Sequence, residues 1–188
     1  MTRVPSAAAH ATPGSRAMLL SAIVGAIGVV FVVLMAVAFS TGASAAGMTF
    51  GWANDVAVLL QYLLAVPGVL AVGAAMRLGS PRLARLGTAL ALAGTAAIVV
   101  FQALLVTGVL TFAQEVGPAS LGILVLGVWM VAAAISGRRS GIGPVGPEMA
   151  ILAAFYVGHP LWAFRVSRWM RAMPAPQAGL AAPATDAT

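Results

Sequence analysis

The chain contains no cysteine, which excludes disulfides, thiol nucleophiles and cysteine-ligated metals. Lysine is missing as well, so all 10 basic residues are arginine. Acids number only 4, and charged residues of both signs make up 7% of 188 residues. A soluble globular domain carries about 25%, so this chain cannot cover a water-facing surface with charge. What fills it is apolar: 61% of the residues are hydrophobic and the mean hydropathy is +1.02. The composition is that of an integral membrane protein. The arginine-only basic set, with its abundant alanine and glycine, reflects a GC-rich genome rather than chemistry. The net charge of +6 does not point to nucleic acid, because the arginines sit in short clusters beside apolar runs, the pattern of topology determinants.

Five apolar segments follow one another, 18–39, 54–76, 86–112, 119–135 and 149–164. The first runs from Met18 to Phe39 without a charge; as a helix it is about 33 Å long, enough for a hydrocarbon core. The second opens on Asn54-Asp55 and is expected to break at Pro67-Gly68. The third is the longest, and the fourth carries Trp129 as a packing residue. The fifth, Met149 to Phe164, is about 24 Å as a helix and spans only with help from its flanks. Residues 1–15 and 174–188, rich in Ala, Pro, Thr and Ser without an apolar period, read as disordered tails around a single domain over 16–173. The stretch "AFSTGASAAG" after the first segment resembles a cleavage site. That apolar run is longer than the roughly 7 to 15 residues of a signal sequence, so an uncleaved first span is expected.

Arginine placement sets the orientation. Arg3 and Arg16 put the amino terminus in the cytoplasm of a bacterial inner membrane. Arg77, Arg82, Arg85, Arg138 and Arg139 fall in loops on the same side, and the intervening loops are free of arginine. The last three arginines break the pattern if the fifth segment crosses. Arg165, Arg168 and Arg171 share one side of a basic amphipathic helix that suits an anionic headgroup surface. Two readings stay open. In one, the fifth segment is a span kinked at Pro160, giving an all-α bundle of five membrane segments. In the other there are four spans and a re-entrant fifth segment with His159-Pro160 near its turn. Pro147-Glu148 as a helix start and the cost of irregular backbone in lipid favour the kinked span.

The stretches "NDVAVLLQYLLAVPGVL" (54–70), "LLVTGVLTFAQEVG" (104–117) and "GHPLWAFRVSRWM" (158–170) resemble segments of a group of small multi-pass membrane proteins from GC-rich bacteria. The resemblance covers most of residues 17–171. It implies an all-helical integral membrane protein and carries no activity, ligand or site.

Polar side chains inside spans are costly and are candidate sites by default. Asn54 and Gln61 share a stripe of the second span; Thr88, Thr95 and Gln102 repeat every seven residues on the third. Gln61 lies about 12 Å and Gln102 about 15 Å from the outer edge, so a Gln61–Gln102 hydrogen bond or a shared water is expected, with helix glue as its ordinary meaning. Asp55, Gln114 and Glu115 form a candidate acidic patch at the outer mouth of the same helix pair, although such residues more often cap helices. His159 is the histidine of the apolar segments. It lacks a second ligand at metal-binding spacing, so a hydrogen-bonded structural role is expected for it. Ser21, Gly25 and Gly28 give the first span a small-residue face suited to close helix contact. Trp52, Trp162 and Trp169 read as interface anchors, and "SGRRSGIGPVGPE" reads as a connector without the lysine of a P-loop.

No catalytic set, cofactor motif or metal cluster emerges. The expectation is therefore a non-enzymatic scaffold or accessory subunit in contact with the lipid bilayer, with a membrane-protein partner or a second copy. The alternative is a small transporter or ligand-binding protein that uses the polar seam between the second and third spans.

Overall fold

The computed structural model describes residues 12–77, 81–140 and 158–172. They form five helices: α1 (Pro13–Ser40), α2 (Ser44–Met76), α3 (Pro81–Val106), α4 (Phe112–Ser140) and α5 (His159–Ala172). The first four are long and apolar enough to cross a bilayer, which makes the chain a helical membrane protein. The 14 residues of α5 amount to about 21 Å, short of a crossing, and no fifth crossing is found among the described residues. Residues 149–157 of the expected fifth segment, Glu148, most of the connector after α4 and both expected tails apart from residues 12–15 lie outside the described residues.

Local chemistry marks the ends. Thr12 caps α1 by accepting from the Ser15 amide at 3.2 Å, with Pro13 in the first turn. α1 and α3 stop on the same device. After Thr41, Gly42 adopts φ 81° and the Ala43 amide returns to the Ala38 carbonyl at 2.8 Å. After Thr107, Gly108 adopts φ 75° and the Val109 amide returns to Leu104 at 2.9 Å. Both close helix ends with a left-handed glycine, a backbone conformation that strains any residue with a Cβ.

α1, α2 and α4 are longer than their hydropathy suggests, and α3 is shifted toward the amino terminus. α2 begins ten residues before Asn54 and passes through Pro67 without a break. Breaking it would expose several backbone groups to lipid, whereas Pro67 forfeits one hydrogen bond. α3 begins at Pro81 and ends at Val106, short of the expected Phe112, and α4 begins at that Phe112.

Successive long helices are antiparallel, with close contacts made at glycines. A Cβ on Gly68 of α2 would overlap the Met18 side chain of α1, and one on Gly73 would overlap Thr88 of α3. α3 and α4 meet backbone to backbone, where a Cβ on Gly94 would stand 2.8 Å from the Gly122 carbonyl oxygen. Met18, Tyr62, Val69, Ile98, Met130 and Trp162 fill the core. Outward faces carry exposed Leu20, Ile23, Ile27 and Val30 on α1, and Leu121, Leu124 and Val128 on α4. An apolar exterior of this kind suits lipid rather than water.

The direction of α5 settles how its ends lie relative to α1. Pro160 is opposite Gly25, Ser167 donates to the Ser15 carbonyl at 2.7 Å, and Met170 reaches Gly14. α5 therefore runs antiparallel to α1, starting about 15 Å below the level of Ser15 and ending beside it. Its last turn emerges on the face where α1 begins, α2 ends, α3 begins and α4 ends.

Candidate functional site

The deepest polar group is a pair that α2 and α5 build together. Gln61 is fully buried and His159 is 1% exposed. Gln61 Nε2 lies 2.7 Å from His159 Nδ1. With the amide in this orientation Nδ1 accepts, so the imidazole is neutral and its proton sits on Nε2. Among the described residues that Nε2 has no hydrogen-bond partner, and neither has Gln61 Oε1. The expected Gln61–Gln102 bond is not formed: Gln61 turns to α5, and Gln102 Nε2 is itself unpartnered. The depth match does not hold either: Gln102 stands at the level of Asp55, about 9 Å along α2 from Gln61, and the sequence does not reveal that α5 inserts a closer acceptor.

α1 packs closely against this pair. Ser21 donates to the Gln61 main-chain carbonyl at 2.8 Å. A Cβ on Gly25 would meet the Gln61 amide oxygen at 2.6 Å and Pro160 at 2.9 Å. Only glycine leaves room there for both. The small-residue face of α1 is thus occupied from within by α2 and α5. Two rings close the other sides: Tyr62 at 4.9 Å from the imidazole centroid and Trp162 at 5.4 Å, both tilted. Trp162 is 2% exposed, a core residue rather than the expected interface anchor, because α5 turns that face to α1 and α2. Trp129 is buried as packing, and Trp52 is exposed with its Nε1 reaching the Val106 carbonyl at 3.4 Å.

The rest of the expected seam is not continuous with this pair. The hydroxyls of Thr88 and Thr95 bond back to Ala84 at 2.7 Å and Ala91 at 2.8 Å within their own helix. This satisfies them without a ligand.

At the opposite end of the bundle, Asp55 has Asn54 and Gln102 as side-chain neighbours, and the Glu115 carboxylate lies within coulombic range. Gln102 comes close to Asp55 without presenting Nε2 at hydrogen-bond geometry. Gln114 is not part of that group. Its Oε1 accepts from the Thr111 amide at 2.9 Å and the Thr111 hydroxyl at 3.0 Å, the Gln half of a Thr-x-x-Gln capping box, while the Gln114 amide donates to the Thr111 main-chain carbonyl at 3.0 Å. No cluster of three metal-binding side chains gathers among the described residues.

Sequence reasoning named Gln61 and His159 separately but missed their contact, along with Tyr62 and the Ser15–Ser167 bond. The readable signal was the Ser21-to-Gly25 spacing, which marks where α1 accepts a neighbour without naming it. The arrangement belongs to a multi-pass helical membrane protein with a polar pair at mid-depth. No family model, curated protein or solved structure matches the chain.

Proposed function

We propose that the chain is a bacterial inner-membrane protein that binds a small polar molecule at mid-depth, in the manner of a transporter or membrane sensor. One observation carries this reading: α5 begins inside the bundle, and there His159 Nε2 and Gln61 Oε1 are buried without partners among the described residues. A buried donor or acceptor left unmade costs about 1–3 kcal/mol, and a ligand group that supplies the missing bonds recovers it. A helix that starts at mid-depth also directs the positive end of its dipole into the membrane interior, where it favours an anionic group. Together these select a small carboxylate, with an oxygen accepting from His159 and a donor for Gln61.

Orientation follows from the arginines. Arg16, Arg77, Arg82, Arg85, Arg165, Arg168 and Arg171 all belong to one end of the bundle, and Asp55 and Glu115 to the other. The positive-inside rule assigns the arginine end to the cytoplasm, where α1 begins and α5 ends.

The scaffold reading loses one of its two surfaces, because the small-residue face of α1 is filled by Gln61 and Pro160. Co-purification of a stoichiometric partner from native membranes would restore it.

The test is the thermal midpoint of the detergent-solubilised protein across a panel of small carboxylates and amino acids. Binding at 100 times Kd stabilises by about 2.7 kcal/mol, a shift of several degrees. The shift is expected in the native protein and not in His159→Phe, whose helicity and elution are checked separately. A panel in which nothing moves the midpoint refutes the reading.

A further inference from the structure

The outer side of α5 is sorted by depth. Leu161 (54% exposed), Phe164 (42%), Arg165 and Arg168 are its exposed residues before the last turn. Their spacing, i, i+3, i+4 and i+7, makes one stripe. Measured along the helix from His159, they stand about 3, 7.5, 9 and 13.5 Å toward the arginine face. The stripe is therefore apolar at depth and basic near the surface. Arg171, half-buried, continues it and donates to the Ser167 carbonyl at 3.4 Å. Arg16 of α1 is exposed one residue from Ser15, the partner of Ser167, and so lies at the level of Arg168.

Nothing acidic answers these charges among the described residues. The two described acids, Asp55 and Glu115, are at the far end of the bundle. A guanidinium fork seeks a phosphate or carboxylate and binds it through two parallel hydrogen bonds. Immediately deeper on the same stripe, Leu161 and Phe164 offer an acyl chain a surface to lie on.

We infer that this stripe holds one anionic glycerophospholipid, its phosphate on Arg165 and Arg168 and an acyl chain along Phe164 and Leu161. Charge alone would suit any polyanion. The apolar half of the stripe, at the depth where a lipid tail continues below its headgroup, selects a lipid. The site faces outward and does not rest on the ligand reading of the Gln61–His159 pair.

Native mass spectrometry of the purified full chain tests this, with phosphatidylglycerol and phosphatidylcholine titrated in parallel. One phosphatidylglycerol is expected to be retained per chain, and no phosphatidylcholine at the same concentration. An arginine near a membrane surface contributes about fivefold to anionic lipid affinity, so Arg165→Gln with Arg168→Gln should weaken binding about thirtyfold. Arg82→Gln with Arg85→Gln, which leaves the stripe intact, should retain it. The inference is overturned by equal retention of both lipids, by binding unchanged in the α5 variant, or by equal loss in the two arginine pairs. Full displacement by inorganic phosphate would assign the site to a free anion and overturn it as well.

Discussion

Gln61 and His159, 98 residues apart in the chain, meet at 2.7 Å in the centre of the bundle and join α2 to the first residue of α5. Removing either partner strands the other in an apolar interior. Gln61→Leu and His159→Phe are each expected to destabilise the bundle by about 1–3 kcal/mol. The double variant should cost less than the sum, with a coupling of about 0.6 kcal/mol and at most about 1.7. Equilibrium unfolding in bicelles measures all three. Strict additivity would show that the pair does not interact in the folded protein.

The α3–α4 crossing depends on the absence of two side chains. A Cβ on Gly94 meets the Gly122 carbonyl oxygen at 2.8 Å, and one on Gly122 meets the Gly94 carbonyl oxygen at 2.7 Å. Both obstacles are backbone, which cannot swing aside. Gly94→Ala should cost about 1–3 kcal/mol as an overpacked contact, despite the better helix propensity of alanine. Gly117 has nothing within 4 Å of its would-be Cβ, so Gly117→Ala should stabilise by up to about 1 kcal/mol. Thermal unfolding of the two variants side by side separates packing from propensity.

Asp55 and Glu115 are two carboxylates within coulombic range at the arginine-free end of the bundle. Glu115 is buried, and no described arginine stands at that end to offset the repulsion. Glu115→Gln keeps the shape of the side chain and removes the like charge. It should stabilise the protein by about 1 kcal/mol at neutral pH, the scale of two unit charges about 4 Å apart in water. The gain should shrink as pH falls, because protonating either carboxylate removes the same repulsion. A destabilised Glu115→Gln would mean that the carboxylate makes a favourable contact that outweighs its neighbour.

Much of this architecture was legible in the sequence because lipid allows few solutions. A long uncharged run such as 18–39 has to be a helix, and arginine clusters fix which ends share a face. Helix ends were misplaced where polar residues continue a helix beyond its apolar part, as at Thr111 and Gln114, whose capping bonds start α4 seven residues before the apolar run. The polar seam was half legible. Depth along α2 and α3 is arithmetic only once the helix ends are known, and α2 starts at Ser44 and α3 stops at Val106; which neighbour Gln61 turns to depends on a tertiary insertion. A half-helix leaves no hydropathy signature beyond being too short.

The direction of α5 decides the topology and is open to direct measurement. The native chain has no cysteine, so single-cysteine variants report without background. The Ser167–Ser15 bond and the Pro160–Gly25 contact place Ala172 and Thr12 on one face, with Thr41 and Thr111 on the other. A membrane-impermeant maleimide added to intact spheroplasts should label Thr41→Cys and Thr111→Cys but spare Thr12→Cys and Ala172→Cys until the membrane is opened. A crossing fifth segment predicts the reverse for Ala172 alone, and would put Arg165, Arg168 and Arg171 outside against the bias of every other arginine cluster. Retained protection of Ala172→Cys would instead leave all the arginine clusters on one side. It would also place His159 where a helix begins inside the membrane rather than passing through it.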